Sequence, residues 1–436
     1  MRFHSWLATC SSSGSTTTAE DSTVSFPNHR QPRLASDTAS SSDIQSSTNS
    51  STSRDTSCSS LQSNLSIQTL PSVPSLQKLS PETLNLSISQ LCVTSLQQRQ
   101  QSLPITCLAV QSNLLYAASS HELHVYDRNT WTNLDLFNGQ EYSSSGSIKA
   151  VAFCDGRVFT AHQDCKIRVW KLIANKQHRI ITTLPTVNDR LRRFILHKNY
   201  VNIRRHKKKL WIEHADAITG LAVQNDMIYS VSWDRSLKIW RGSDLRCMES
   251  VRAHDDAINA VAVSNDGTVY TGSADRRIRV WGKPFGEKRH VLMATLEKHK
   301  SAVNALALND NGSILFSGAC DRSILVWERE DSANHMVVSG ALRGHGKAIL
   351  CLVNVSDLLF SGSADRTVRI WKRGYMDGRY CCLAVLDGHR KPVKSIVAVS
   401  ETKGSLNDVV SVFSGSLDGE TKVWQVSVSN LNSPAR

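Results

Sequence analysis

The chain has 436 residues, 40% of them hydrophobic and 20% charged, enough for one large fold or two to three ordinary domains. Lys and Arg outnumber Asp and Glu by 51 to 38, a net charge of +13, so acidic proteins, nucleic acid and anionic membranes are the partners to weigh. No stretch approaches the roughly 18 apolar residues that span a bilayer. The opening MRFHSWLATC is too short an apolar run for a secretory leader, and the eleven cysteines include no Cys-x-x-Cys. Reduced thiols and a cytoplasmic or nuclear location are the expectation.

Residues 1–87 are rich in Ser and Thr and poor in large apolar side chains. Such a segment cannot bury enough surface to offset its ordering entropy, which predicts an unstructured tail. Ser36 and Ser80 in it, and Ser433 in a short unstructured tail over 429–436, are candidate phosphorylation sites. Between them, residues 88–428 are built on a repeat. TGSADRRIRVW (271–281) reads as two strands over a tight turn, and it recurs at 230–240, 317–327 and 361–371, with looser copies at 160–170 and 414–424. In every copy an Asp lies six residues before a Trp: Asp164, Asp234, Asp275, Asp321, Asp365 and Asp418, paired with Trp170, Trp240, Trp281, Trp327, Trp371 and Trp424. From Trp240 onward the Trp residues are 41, 46, 44 and 53 apart, the period of a β-propeller blade.

A first blade is expected from ITCLAV (105–110), LLYAAS and LHVYD, with Tyr126 for Trp and Ser120 for the turn Asp. A second ends at Trp170, and five more begin at Ala217, Ala257, Ala302, Ala348 and Pro392. Their first strands are apolar on both faces, as strands wedged near a narrow axis must be. A fourth, outer strand such as LRCMESV (245–251) follows each Trp, but only QVSVS follows Trp424. QLCVTSL (90–96) shares the Cys-x-x-Ser-apolar pattern of LRCMESV, so it is expected to complete blade seven and close the ring. The fold class is therefore all-β, a seven-bladed propeller closed by an N-terminal outer strand.

His214, His254, His299, His345 and His389 each lie four residues before the first apolar residue of a blade. His, Asp and a hydroxyl would suggest a hydrolase, but one active site does not need five copies. The set reads instead as scaffold: the imidazole bridges a loop to the turn Asp, and Ser or Thr and the Trp N–H complete a chain of satisfied buried polar atoms. No phosphate-cradling Gly loop, His-Glu-x-x-His or metal-ligand Cys spacing occurs, so no catalytic residue, cofactor or metal is assigned.

With the pattern GH…SGSADRTVRIW, residues 90–426 resemble the WD-repeat β-propeller family, although no copy ends in Trp-Asp itself. KNYVNIRRHKKKLWIEHADAI, with the leading PSVPSLQ, further resembles plant WD-repeat proteins of the JINGUBANG type. That resemblance implies a non-enzymatic regulatory scaffold for growth programmes such as pollen germination, with transcription regulators among its partners. Many WD-repeat proteins are substrate receptors of cullin-RING ubiquitin ligases through a repeat ending Trp-Asp-x-Arg; that role is the alternative reading, although no repeat here ends that way.

Two basic features stand apart from the scaffold. Trp170 and Trp240 are 70 apart, which predicts an insertion over about 173–209. Ile173 to Glu213 holds eleven Lys/Arg and two Asp/Glu. Its run Arg204, Arg205, His206, Lys207, Lys208 and Lys209 reads as a nuclear-import signal, a docking patch for an acidic partner or nucleic acid, or a solvated loop. KKKLWIE is expected as the outer strand of blade two, placing the insertion on the face opposite the His-bearing loops. The residue after the turn Asp is Arg in four consecutive blades: Arg235, Arg276, Arg322 and Arg366. These are either paired with neighbouring carboxylates or form a rim around the channel that selects acidic partners. The expected molecule is a monomeric scaffold that binds acidic surfaces of other proteins, with nucleic acid a less favoured partner.

Overall fold

Alternating and doubly apolar stretches separated by Gly, Asn and Asp turns favour short antiparallel strands, and each repeat folds that way. A computed structural model describes residues 73–77, 86–97, 103–138, 144–173, 177–204, 207–330, 333–374, 378–401 and 408–430. These form seven four-stranded antiparallel sheets and one two-stranded hairpin. Blade four is representative, with strands Ile258–Val263, Val269–Ser273, Ile278–Gly282 and Val291–Leu296 in spatial order. The first strands of the seven blades begin at Ile105, Ile148, Ile218, Ile258, Val303, Ile349 and Val393, and each packs against the next around the ring. All seven carry a one-residue bulge immediately after that first residue, at Thr106, Lys149, Thr219, Asn259, Asn304, Leu350 and Lys394.

Blade seven is built from both ends of this unit. Val393–Ser400, Asp408–Ser416 and Glu420–Asn430 supply three strands, and Leu86–Gln97 pairs with Glu420–Asn430 as the outer one. Cys92 stands opposite Trp424, so the closure anticipated from QLCVTSL is present, with the third strand continuing to Asn430. The core is divided into seven wedges, one per gap between blades. Tyr229, Val231, Leu237 and Ile239 of blade three meet Ile258, Val269 and Trp281 of blade four, and Ile105, Leu115 and Tyr126 of blade one meet Phe413 and Val423 of blade seven. Every wedge is sealed only when both neighbours are in place, so no blade has a complete core of its own.

Two expectations change. The tail is not free of structure through residue 87: Val73–Gln77 bridges to Ala341 and Tyr380, and Leu86 opens a strand. Residues 1–72 and 431–436, including Ser36 and Ser433, lie outside the described residues, as does Ser80. The outer strand of blade two is His178–Leu184, not KKKLWIE. The insertion follows it as a helix over Val187–Phe194, a single 3-10 turn and a hairpin of Tyr200–Arg204 with Lys207–Leu210. It therefore belongs to the connection that leads into His214, not to the opposite face. KKKL keeps its strand conformation but pairs locally with YVNIR, because His178–Leu184 already occupies the edge of blade two.

Candidate functional site

The turn Asp and the loop His meet in blades three to seven. His Nδ1 lies 3.0, 2.8, 3.0, 2.8 and 3.2 Å from Asp234, Asp275, Asp321, Asp365 and Asp418, in that order from His214 to His389. The other nitrogen, Nε2, lies 2.8 Å from the hydroxyl of Ser230, Thr271, Ser317, Ser361 or Ser414. Those hydroxyls also accept the indole N–H of Trp240, Trp281, Trp327, Trp371 and Trp424 at 2.8–3.0 Å. A carboxylate can only accept, so the imidazole carries a proton on Nδ1 that points at it. The same carboxylates accept main-chain N–H groups of the turn, as in Arg277 N to Asp275 at 3.0 Å. Burial lowers the titration of His214 and His389, outweighing the opposite pull of Asp234 and Asp418. Burial works to raise Asp275 and Asp321, yet their hydrogen bonds and the charge of His254 and His299 hold both at about 2. Each chain is saturated internally, which leaves no hydroxyl free to act as a nucleophile.

Blade two builds a shorter polar chain by another route. His162, on its second strand, places Nε2 2.7 Å from the Thr160 hydroxyl, which accepts Trp170 Nε1 at 2.9 Å. Asp164 binds Arg168 at 2.8 Å in place of a loop His. The sequence reading missed His162 because it sits in a strand and not four residues ahead of one.

The His loops and Asp turns touch, so they share one face of the ring. Arg235, Arg276, Arg322 and Arg366 stand there, all exposed and all with left-handed backbone, φ 71, 73, 69 and 76°. Blade seven fills this position with Gly419 (φ 87°), the residue that adopts it without steric cost. Any β-carbon there costs ~1–2 kcal/mol, so four arginines are held against local preference. Arg235 donates to Asp255 O at 3.3 Å. Arg276, Arg322 and Arg366 have no side-chain hydrogen bond or ion pair to any described residue, so none of the three pairs with a described carboxylate. Lys300, Lys347, Arg390 and Lys391, on the adjacent His loops, are likewise exposed. At the channel mouth, the bulge residue Lys149 has its ammonium 5.9 Å from the centre of the Trp233 ring. Burial, and then the charge of Lys394, push Lys149 down to about 7. The face from blade four to blade seven is thus a basic arc.

The insertion adds a second surface that the sequence reading missed. Its helix is turned inside out. Thr186 caps it by accepting Asp189 N at 3.2 Å. The buried Asp189 accepts Cys247 N at 3.3 Å, Arg193 donates to Cys247 O at 3.3 Å and stacks 4.7 Å from the Trp211 ring centre, and Arg190 pairs with Glu213 at 3.3 Å. Val187, Leu191, Phe194 and Ile195 face outward, at 62–86% exposure. Of the basic run, Lys209 donates to His214 O at 3.0 Å and so anchors the hairpin. Lys208 stands opposite Asn202 on the hairpin and is exposed. Arg204 and Lys207 lie on the hairpin strands, while Arg205 and His206 are outside the described residues.

Among the described residues, two sets of three potential metal donors each have their ligand atoms within 4.8 Å of one another. His389, Asp418 and Glu420 belong to the saturated chain of blade seven. Cys154 with Asp155 and Asp226 is a thiol pushed up by burial and by both carboxylates, the reverse of what a ligand needs.

Five segments match the family described as WD domain, G-beta repeat: residues 206–241, 245–282, 290–328, 336–372 and 380–425. The chain carries WD40 repeats. Each WD40 repeat match contains one Asp–Trp pair, and the five correspond to the blades that possess the complete His–Asp–hydroxyl–Trp chain. Blades one and two, where Tyr126 and His162 depart from it, lie outside the matched segments. WD40 propellers generally serve as non-enzymatic scaffolds that bind other proteins. Among the described residues no helix is long and apolar enough to cross a membrane.

Proposed function

We propose that this WD40-repeat chain is a non-catalytic platform that captures an acidic segment of a partner protein on the turn-bearing face. The observation that carries the reading is the arc of Arg276, Arg322 and Arg366, exposed, left-handed and unpaired among the described residues. Arg binds carboxylates bidentately, and unpaired guanidiniums in a row offer that to an extended acidic strand. The outward apolar stripe of the insertion helix supplies a separate contact for a second partner, as a scaffold requires. In the finer reading the chain is a regulatory scaffold of plant growth or development, acting in the cytoplasm or nucleus with transcription regulators among its partners. That part rests on the resemblance to JINGUBANG-type proteins.

An eight-residue poly-glutamate peptide is the direct probe. It is expected to bind with an affinity that falls as salt rises, and Arg276→Glu/Arg322→Glu is expected to weaken it about tenfold or more, with the melting temperature unchanged. Capture that survives the double reversal refutes the arc as the site. Proximity labelling in plant cells, comparing the intact chain with the same reversal, then identifies the partners that depend on it.

A further inference from the structure

The outer wedges between blades are closed by a side chain in two places and by a piece of the N-terminal segment in a third. Between blades one and two, Asp135 accepts both the main-chain N–H of His178, at 2.7 Å, and its Nδ1, at 2.8 Å. Between blades three and four, Glu249 accepts His290 N at 2.9 Å and Nδ1 at 3.2 Å. Asp135 and Glu249 stand at one register, opposite Val125 and Ile239 on the third strands. In blade five the residue at that register, opposite Val326, is Gly340, and the position equivalent to His178 in blade six is Tyr380. Glycine has no carboxylate to offer, and the Tyr380 N–H donates instead to Leu76 O, at 2.8 Å.

Val73–Gln77 therefore does what a carboxylate side chain does elsewhere. It runs parallel to the outer strands it meets, with Ser75 beside Ala341 and Gln77 beside Tyr380. Ala341 N donates to Pro74 O at 2.9 Å and Leu76 N to Ala341 O at 3.1 Å, while Arg343 reaches Val73 O at 2.9 Å. Leu76 packs on the cluster that holds Phe316, Trp371 and Tyr380. A β-carbon at Gly340 would overlap Leu76 and lie 2.9 Å from Pro74 O, so the absent side chain creates the seat. Main-chain pairing along a strand edge plus one apolar anchor is how extended peptides are recognised.

We infer that the wedge between blades five and six is a peptide-binding site, that Val73–Gln77 is its resident ligand, and that a segment of the same chemistry on another protein takes its place. The ligand class is an extended uncharged peptide with a leucine two residues after a proline. The seat is separate from the basic arc, and its ligand carries no charge, so this inference and the acidic-partner reading stand or fall independently.

The test uses the full-length chain and a fluorescein-labelled Ser-Val-Pro-Ser-Leu-Gln peptide. Leu76→Asp opens the seat and is expected to bind the peptide saturably. The unaltered chain is expected to bind it about tenfold or more weakly, because a tethered ligand competes at millimolar effective concentration. Leu76→Asp/Gly340→Glu, whose new carboxylate can reach Tyr380 N–H as Glu249 reaches His290, is expected to lose the peptide while still melting cooperatively. A folded Leu76→Asp protein that binds no peptide, or a double variant that binds it as well, overturns the inference. A measurement without any substitution checks the same point: excess unlabelled peptide added to the unaltered chain should speed hydrogen exchange at the Leu76 amide, and an unchanged rate counts against an exchangeable ligand.

Discussion

Asp321→Asn is the sharpest probe of the scaffold, because it removes one charge and leaves the shape of the turn. Asp321 is mostly buried, 3.0 Å from His299 and bonded to Ser323, and is held at about 2 against an ordinary value of 3.8. A group depressed by nearly two units stabilises the fold by ~2 kcal/mol at neutral pH, since each unit is worth about 1.4 kcal/mol. The sign follows from proton binding: above pH ~4 the carboxylate is ionised in both states, and the native state favours that form. As pH falls toward 2 the unfolded chain takes up a proton first, and the contribution drains away. Urea unfolding of both proteins at pH 7, 5, 4 and 3 measures it. The Asn variant should be less stable by ~2 kcal/mol from pH 7 to about 4.5, with the gap reduced to roughly half near pH 3. Buried imidazoles such as His214 and His389 weaken both proteins alike as pH drops below about 6.5, and they cancel in the difference. A gap that stays constant across the series would mean that Asp321 acts through packing and not through its charge.

Other substitutions separate stability from recognition. Trp281→Ala should cost ~3–5 kcal/mol by leaving a cavity between blades three and four, seen as an earlier melt before any loss of binding. Arg322→Gly should leave the melting temperature equal or slightly higher, because glycine relieves the left-handed backbone at φ 69°; poly-glutamate affinity should fall in the same protein, and a fall in both would contradict the split. Leu191→Glu/Phe194→Glu on the outward face of the insertion helix should leave thermal stability unchanged and remove one set of partners from proximity labelling. Asp189→Ala should instead expose the helix to proteolysis, since Cys247 N loses its acceptor there.

The propeller could be read in the sequence because its determinants are local and repeated. A six-residue step from Asp to Trp encodes a hairpin, and five copies of a loop His encode the polar chain beneath it. The closing strand was legible for the same reason, since Cys92 and Ser95 copy a pattern present elsewhere. What stayed hidden depends on competition between segments. KKKLWIE has the composition of an outer strand, yet HRIITTL comes earlier in the chain and takes the edge first. Val187, Leu191, Phe194 and Ile195 mark an amphipathic helix by spacing alone, but spacing does not say which face turns inward. Here the polar face does, because Asp189, Arg190 and Arg193 find partners on Cys247 and Glu213. Gly340 is one glycine among 22, and its meaning appears only when its register is set beside that of Asp135 and Glu249.

Ring closure by Leu86–Gln97 has a consequence for how the protein is made. The strand is synthesised early, while its partner Glu420–Asn430 follows more than three hundred residues later. Until then its main-chain donors and acceptors have no mate on this edge, and Leu91 and Val93, already 63% and 46% exposed in the finished ring, are open to the surroundings. The wedge between blades seven and one also waits, since Ile105 and Tyr126 need Phe413. The nascent ring is therefore an open arc with two adhesive ends throughout translation. It can close only after Glu420–Asn430 has been made, and exposed strand edges of this kind are where multi-part folds misassemble.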